Sequence, residues 1–410
     1  MKRSLVLVVG LAVLVVAATR DDKSSIDSAS PGEVNPGAST PAQVADTTLT
    51  TIGAVDNGAG STSTTPATTT TAVPPHTGIT MAFSGDILIH SQLWQQATAY
   101  NGGTGYDFTP MFARVKPLLD SVDFAICHLE VPIAPPGQEP STFPLYGAPK
   151  EIVTAIAQAG YDHCSTASNH TLDQGKAGID TTVNEFDGNG ITQSGMARTA
   201  KEIGPKVFER NGIKFTHLSY TFGFNGLELP ADQPWRSALI DSSRIIADAT
   251  KARSMGAQLV IVSIHWGTET VTAVNDQQRK VANAVSASGV VDLIIGHHAH
   301  VVQKIEQVNG VWTVFGLGNV LSYHPTRAAF PANSQDGMIV TVRLSLDANG
   351  RAVVDKPVVY PTWVDKQNGI VIRNVIADLA DPTVSAGTKS QLEVSLRRTS
   401  SVVGDFVASK

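Results

Sequence analysis

The chain has 410 residues, which is enough for one large or two medium domains with a sizeable core. Its formal net charge of −6 does not support nucleic acid as a partner, so none is expected. A polyanionic partner would have to be held by a local basic groove or by a bound metal ion.

The N-terminus has the pattern of an export signal. Lys2 and Arg3 precede an apolar run from Leu5 to Ala18, and Arg20 ends it. The run is shorter than the roughly 20 residues of a membrane-spanning helix, and its last residues are small, as signal cleavage requires. Residues 1–18 are therefore predicted as a signal peptide or, alternatively, as a short membrane anchor. Both interpretations predict an extracytoplasmic protein, either secreted or tethered to the membrane by its N-terminus.

Residues 19–77 are rich in Ser, Thr, Ala and Pro, as in "STSTTPATTTTAVPP". Such a composition does not bury enough apolar surface to offset the entropy lost on ordering. This segment is predicted as a disordered tether between the N-terminus and a folded domain at residues 78–410.

From residue 78 onward, apolar β-rich runs alternate with amphipathic stretches. The candidate strands are Ile79 to Ser84, Asp123 to Cys127, Tyr161 to Thr166, Lys214 to Tyr220, Gln258 to Ile264 and Val291 to Ile295. The candidate helices are "MFARVKPLLDSV", "KEIVTAIAQAG", "DSSRIIADATKARSMG" and "DQQRKVANAVSASG". After residue 300, two segments with Asn-Gly turns predict antiparallel hairpins. The predicted class is a layered α/β fold with a β-rich C-terminal part.

The chain has two cysteines, Cys127 and Cys164. In an oxidising compartment they are candidates for a disulfide, and two buried free thiols are the alternative. The sequence leaves this choice open.

Polar residues able to bind metal follow five of the apolar strands. They are Asp86 and His90, His128 and Glu130, Asn169 and His170, His265, and finally His297, His298 and His300. Because α/β sheets place their sites at the carboxyl ends of strands, these side chains are expected to converge. Seven of the 11 histidines fall in these positions, which predicts a metal or polar site.

The donor types suit two divalent cations, with Mn²⁺, Fe or Zn²⁺ as candidates. A carboxylate can bridge two ions, while His298 and His300 can divide between them. Two such ions clamp a phosphoryl or acyl oxygen and lower the pKa of a water molecule. His170 is a candidate to protonate the leaving group.

Single residues of this set also have structural interpretations. Asn169 and Asp173 are candidate caps for a helix starting near Gln174. His265 is a candidate hydrogen-bonded core residue. The segment "GHHAH", with three histidines in four residues, has no comparable structural explanation.

The motifs "GDILIH", "HLE", "ASNHTLDQG", "SIHWGTE", "IIGHHAHVVQKIE" and "FGLGNV" resemble, in order and spacing, the capsule-synthesis proteins of the CapA/PgsA type. The resemblance covers residues 78 to 323. It implies a metallophosphoesterase-like fold, a layered β-sandwich flanked by helices, akin to the calcineurin-like enzymes. It also implies a role in making or exporting poly-γ-glutamate.

The resemblance further implies roles for single residues. Asp86 and His300 would hold a first metal, Glu130 would bridge, and a second metal would be held by Asn169, His265 and His298. His170 would act as acid or transition-state stabiliser. Substrate-contacting or supporting roles are expected for His90, His128, Asp173, His297 and Asn319.

Two positions depart from the metallophosphoesterase pattern. Leu88 stands where those enzymes carry the histidine of Asp-x-His, with His90 as the one candidate substitute, and Glu130 replaces an aspartate. Gly316 and Gly318 in "FGLGNV" are expected either to let the backbone approach the site or to form a β-bulge.

Three functions are compatible with these features. The first is an exported capsule or poly-γ-glutamate biosynthesis protein with a dinuclear-metal, hydrolase-like site. The second is a non-catalytic accessory subunit that binds the anionic polymer and a membrane synthase complex. The third is a secreted metal-dependent phosphoesterase.

Overall fold

The computed structural model describes residues 78–325 and 330–409. Residues 1–18 and 19–77, predicted as a signal or anchor and as a tether, lie outside this range. In the part that is described, no helix is both long enough and apolar enough to cross a membrane.

The strands, in chain order, are β1 (Gly78–Ile87), β2 (Phe124–Leu129), β3 (His163–Ser165), β4 (Thr192–Ser194), β5 (Phe208–Arg210), β6 (Ile213–Thr221), β7 (Leu259–His265), β8 (Leu293–His297), β9 (Ile305–Val308), β10 (Val311–Val314), β11 (Asn319–Leu321), β12 (Asp336–Leu346), β13 (Ala352–Val354), β14 (Val358–Asp365) and β15 (Val371–Asn374). The α-helices are α1 (Ser91–Tyr100), α2 (Thr109–Phe112), α3 (Lys116–Leu119), α4 (Glu151–Ala159), α5 (Gly175–Gly188), α6 (Ser242–Ser254), α7 (Asp276–Ser286), α8 (Val375–Ala380) and α9 (Ala386–Val403). Short 3₁₀ turns occur at Pro234–Arg236, Ala332–Gln335 and Gly404–Phe406.

Within the described ranges these strands form two sheets. The first runs in the order β15-β14-β12-β1-β2-β3-β4, with β11 also paired to β1 and β13 to β12. The second runs β5-β6-β7-β8-β10-β9. Strands β1 to β4 are mutually parallel, as are β6 to β8, so their carboxyl ends lie at one edge of each sheet.

A buried apolar core fills the space between the two sheets. The first sheet contributes Ile79, Met81, Phe83, Phe124 and Ile126; the second contributes Ile213, Phe215, Leu259, Ile261, Leu293 and Ile295. Residues of opposite parity on the same strands face outward and pack against helices, as the two-residue repeat of a strand requires. The sheets therefore form a sandwich with helices on its outer faces.

Helices cover each sheet on its outer side. Helices α1 to α4 pack on the first sheet around Leu93, Phe112 and Ile156. Helices α6 and α7 pack on the second sheet through residues such as Ile245 and Val281. The predicted fold class, a layered α/β sandwich flanked by helices, is confirmed.

The predicted strands are all present, and most extend beyond their predicted ends toward the polar residues. The predicted hairpins are also present, the first turning at Asn309 and Gly310, whose φ angles of 49° and 80° suit a tight turn. The β-rich C-terminal part extends to Asn374. Helices α8 and α9 follow it and were not predicted. The stretch predicted as one helix around Lys116 is two short helices, because Pro117 interrupts backbone hydrogen bonding.

The two cysteines form a disulfide. Cys127 of β2 and Cys164 of β3 are paired neighbours in the first sheet, and both side chains lie in the helix-facing core. The alternative of two free thiols is thereby excluded for this structure.

Candidate metal centre

Toward the carboxyl ends of the parallel strands, the face between the sheets changes from apolar to polar. On β2, Phe124 and Ile126 are followed on the same face by His128 and then Glu130; on β7, Ile261 is followed by Ser263 and His265. The strands thus carry the polar side chains into the buried space between the sheets. The predicted convergence of strand-end residues is present.

Asp86, Glu130 and His300 form a first group, in which one ligand atom from each residue lies within 4.8 Å of the others. His300 Nδ1 lies 3.5 Å from Asp86 Oδ2, and His300 Nε2 lies 3.6 Å from Glu130 Oε1. All three side chains are buried. This arrangement can hold one cation.

Glu130, His265 and His298 form a second group by the same measure. His265 Nε2 lies 3.7 Å from the same Glu130 Oε1 and 2.8 Å from Asn169 Oδ1. Glu130 therefore belongs to both groups, and Asn169 adjoins the second one. The roles assigned to these residues by the resemblance remain predictions, but the structure brings them together.

The buried polar atoms of Glu130 and His298 suit a divalent cation. Both of its carboxylate oxygens and Nδ1 of His298 are buried without a hydrogen-bond partner among the described residues. Burying such atoms unpaired is costly, and buried charges are normally paired or coordinate metals. Carboxylate and imidazole donors are also the types that Mn²⁺, Fe and Zn²⁺ accept. The residues present therefore fit divalent metal.

The pKa values of the two carboxylates at the site are shifted in opposite directions. Burial raises the pKa of Glu130 well above its usual range. Burial also raises that of Asp86, but hydrogen bonds from His297 and His300 outweigh it and hold the pKa of Asp86 well below its usual value. For His300, burial acts to lower the pKa, but the neighbouring carboxylates of Glu130 and Asp86 raise it to about 10. Bound cations would displace the proton that this raised pKa keeps on His300 at neutral pH.

Backbone contact fixes the position of Asp86. Its N–H donates to the carbonyl of Gly318 at 2.9 Å. A Cβ on Gly85 would lie 2.1 Å from that carbonyl oxygen, so a residue with a side chain does not fit there. Gly318 itself has a φ of 67°. The expectation of close backbone approach at "FGLGNV" is met at this glycine.

His297 and His128 lie behind the two groups. His297 Nδ1 is 2.9 Å from Asp86 Oδ1, and His128 Nε2 is 3.0 Å from His265 Nδ1. Their rings stack with centroids 4.1 Å apart, and with Asp86 they form a further group of close donor atoms. Each orients a side chain of the candidate metal groups, as supporting hydrogen bonds do in metal sites. Of the two roles predicted for them, the supporting one fits the geometry.

Asn169 and Asp173, the candidate caps, do not cap the helix that follows them. Helix α5 has Gln174 at its N-cap position, and no side chain caps it. Asp173 Oδ2 instead accepts the N–H of Tyr146 and lies 2.7 Å from His170 Nδ1. Asp173 thereby fixes the ring of His170 and leaves Nε2 on the opposite side.

His90 and Asn319 occupy different places. His90 belongs to none of the close donor groups among the described residues; its Nδ1 accepts the N–H of Tyr323, and its ring packs edge-on against Tyr146. The structure therefore gives no support to His90 as a replacement for the histidine missing at position 88. Asn319 Oδ1 lies 2.9 Å from His300 Nδ1 and so orients that ring.

Four further residues at the site were not singled out from the sequence. Glu269 forms a donor group with His298 and His300. Asn225 Oδ1 accepts from Asn169 Nδ2 at 3.2 Å, and Asn225 Nδ2 lies 3.4 Å from His170 Nδ1. The other two are Tyr146 and His324, whose rings pack against His170 and His300. Glu269 lies within the quoted motif "SIHWGTE", so its spacing from His265 was the available signal. Asn225 and Tyr146 lie in loops and carry no such signal.

The class defined by fold and site is a two-sheet α/β protein with a candidate metal centre at its strand ends. Residues 80–324, more than half of the chain, match the family model "Bacterial capsule synthesis protein PGA_cap". The chain belongs to this family of capsule synthesis proteins.

Named relatives are consistent with this membership. The chain is 26% identical over 286 residues to "Capsule biosynthesis protein CapA" of Bacillus anthracis, covering 68% of this chain and 66% of that protein. It is 26% identical over 279 residues to "PGA biosynthesis protein CapA" of Bacillus subtilis (strain 168), covering 67% and 70%. A "Probable polyglutamine synthesis accessory protein" of Mycobacterium tuberculosis is 25% identical over 213 residues, covering 49% and 56%.

Among solved structures, the chain is similar to a putative 5′-nucleotidase from Staphylococcus aureus, with a TM-score of 0.45, 15% identity, and coverage of 77% of this chain and 58% of that one. It is also similar to the calcineurin-like phosphoesterase YfkN from Bacillus subtilis, with a TM-score of 0.43, 12% identity, and coverage of 78% and 99%. At these values the similarity says nothing about activity.

Proposed function

We propose that this protein is an extracytoplasmic, metal-dependent hydrolase that serves the synthesis of a capsule polymer, with poly-γ-glutamate or a related anionic envelope polymer as its partner. The observation that carries the proposal is the buried carboxylate of Glu130. It is shared by two groups of metal-ligating side chains and lacks any hydrogen-bond partner among the described residues.

The residues for two divalent cations, Mn²⁺, Fe or Zn²⁺, would be Asp86, Glu130 and His300 on one side and Glu130, His265 and His298 on the other, with Asn169 beside the second. Such a pair polarises an ester oxygen and lowers the pKa of an attacking water.

His170 supplies the proton in this proposal. Its Nδ1 is held by Asp173 at 2.7 Å, which orients the ring and leaves Nε2 to donate to the leaving oxygen. The ring of Tyr146, 4.7 Å away and edge-on, packs against the same imidazole and limits its rotation. Asp173 is thus a positioning residue, and His170 is the proposed acid.

The disulfide and the N-terminal sequence pattern support the proposed location. Disulfides persist in oxidising compartments outside the cytoplasm, and Cys127 and Cys164 form one here. The pattern of residues 1–18 predicts export in the same direction.

The direct test is metal content by elemental analysis. The parent is expected to bind about two equivalents of Mn, Fe or Zn, and a His265→Ala, His298→Ala double variant is expected to lose the ion of the second group and to keep about one equivalent or less. A His163→Gln, His217→Gln double variant is the matched control, because those two histidines are buried and hydrogen-bonded to each other but belong to none of the groups. Phosphate release from phosphoesters, measured on both variants, then tests hydrolysis. Absence of metal from the parent after incubation with Mn²⁺ would contradict the proposal.

A second candidate function is a non-catalytic accessory subunit that binds the polymer and a membrane synthase complex. It is favoured by Leu88, which leaves the first group without a second histidine. One relative is also named as an accessory protein. In the producing strain, the accessory function predicts unchanged polymer output for Asp86→Ala, whereas the hydrolase function predicts a loss of output.

A further inference from the structure

A cavity of 260 Å³ opens beside the candidate metal centre. Its polar side holds Asn169, His170 and His300, which belong to or adjoin the site described above. Its other side is apolar and consists of Leu88, Phe143, Pro144, Leu145, Tyr146 and Phe330. We call residues 143–146 the apolar wall. The cavity therefore offers a ligand two different surfaces: the candidate metal centre on one side and apolar side chains on the other.

The apolar wall is unusually open to solvent for residues of its type. Phe143 is 77% exposed and Leu145 is 47% exposed. Tyr146, the last residue of the wall, packs against the ring of His170, the proposed acid. Covering exposed phenyl and isobutyl groups at the mouth of a cavity with a ligand lowers the free energy, because apolar surface is removed from water. Because these side chains lie beside His170, they would be covered by the part of a substrate next to the reacting bond.

The charge of the cavity points the same way. Glu269 is its one carboxylate at the surface, and none of the described residues that line it is Lys or Arg. The nearby Lys366 does not line it and donates to the carbonyl of His324. Positive charge in the described cavity would therefore come from the cations alone. A chain with a carboxylate on every unit would place further negative charges against Phe143, Leu145 and Glu269, where no described cation pairs with them.

We infer that the molecule entering this cavity is a phosphate ester of an apolar alcohol. This inference rests on the proposed function, because the phosphate group would be held by the cations of the candidate metal centre. The apolar part of the alcohol lies on the apolar wall. Water attacks phosphorus and forms the new phosphorus–oxygen bond, the bond to the alcohol oxygen breaks, and His170 gives its proton to that oxygen. The proton that the attacking water loses passes to solvent, from which His170 regains its own. The products are inorganic phosphate and the free alcohol, and the anionic polymer itself stays outside the cavity.

Binding of two phosphonates to the full chain with Mn²⁺ tests the inference without requiring turnover. Benzylphosphonate and methylphosphonate share the head group and differ in the apolar part. We expect benzylphosphonate to bind about tenfold or more tightly, since its ring covers the apolar wall. Phe143→Ser should reduce this preference to about threefold or less. Met255→Ser is the control, because Met255 is also an apolar, exposed side chain but does not line this cavity.

The outcomes separate this inference from the proposed function. Equal affinity for the two phosphonates, binding of neither, or a preference that survives Phe143→Ser would overturn the inference. Displacement of benzylphosphonate by poly-γ-glutamate at equal or lower concentration would also overturn it. Benzyl and methyl phosphate, whose alcohols have similar acidity, are then compared for phosphate release. A benzyl preference in binding with no hydrolysis of either ester would contradict the hydrolase function but still support the inferred class of ligand.

Discussion

The two ends of the space between the sheets are built from the same strands and the same face, yet they have opposite chemistry. At the amino ends, residues such as Phe124, Phe215 and Ile261 fill it with apolar side chains. At the carboxyl ends, residues such as Glu130 and His265 fill it with polar ones. The two-residue repeat of each strand sets which residues point inward. The identity of those residues then decides whether that part of the space is an apolar core or a polar candidate site.

The polar end shows the energetic cost of this choice. His298 and His300 have φ angles of 86° and 54°, values that non-glycine residues rarely adopt. Both carboxylate oxygens of Glu130 lack a hydrogen-bond partner there among the described residues. Strained backbone and unpaired buried groups persist only where the surrounding structure holds them. Packing at the apolar end therefore offsets the free-energy cost of the polar end. Substitutions at either end test this contrast.

The largest expected effect is at the apolar end. Phe215→Ala removes a fully buried ring that packs against Phe124 and Phe208. We expect the free energy of unfolding in urea to fall by about 3–5 kcal/mol. Metal content of the folded variant should equal that of the parent. Loss of metal from protein shown to be folded by circular dichroism would break the distinction between the two ends.

The disulfide lies level with the boundary between the two ends but on the helix-facing side of the first sheet, since Cys127 separates Ile126 from His128 along β2. Its two cysteines are 37 residues apart in sequence. Removing the cross-link in a Cys127→Ala, Cys164→Ala variant should lower the free energy of unfolding by about 2–4 kcal/mol. Dithiothreitol should destabilise the parent and leave the variant unaffected. An equal response of both proteins would show that the bond does not form.

The polar end should also make the protein sensitive to acid. Burial lowers the pKa of His217 to about 3 in the folded chain, against an ordinary value near 6.5. The unfolded chain therefore takes up the proton first, and stability falls as the pH drops below about 6.5. Between pH 7 and pH 5 the loss from this residue is about 2 kcal/mol. Urea unfolding of metal-free parent and His217→Gln across this range should show a shallower pH dependence in the variant; parallel curves would refute the assignment.

The smallest expected effect has the opposite sign. Glu130→Gln should reduce metal content from about two equivalents to one or none. Without metal, the variant should be more stable than the parent by about 1 kcal/mol, because burial raises the pKa of Glu130 and its ionisation at neutral pH opposes folding, whereas a neutral amide does not ionise. Glu306→Gln serves as the control, since Glu306 is partly exposed and paired with Lys304 and Arg279. Lower stability of metal-free Glu130→Gln would show that the carboxylate is stabilised within the protein itself.

Sequence alone was sufficient for the strands and for most of the residues that meet at their ends, because apolar runs and the polar residues after them are local patterns. It included His90, which lies outside the close donor groups among the described residues, and did not single out Glu269 or His324. It did not distinguish the supporting roles of His128 and His297 from substrate contact, since that depends on which ring lies behind which ligand. It also missed Tyr146 and Asn225, whose loops are placed by tertiary contacts. The break at Pro117 shows how one residue overrides an amphipathic pattern.

The glycines of the site motifs bear on how function is transferred between sequences. A Cβ at Gly296 would lie 1.9 Å from the carbonyl oxygen of Phe315, as close a clash as the one at Gly85. These glycines contribute no donor atom, yet a side chain at Gly85 would push the strand of Asp86 away from Gly318, and one at Gly296 would push the strand of His297 away from Phe315. A chain that retains every histidine and carboxylate but carries a bulkier residue at position 85 or 296 should therefore not be assigned this metal centre. A search pattern for it needs the glycines as much as the ligands.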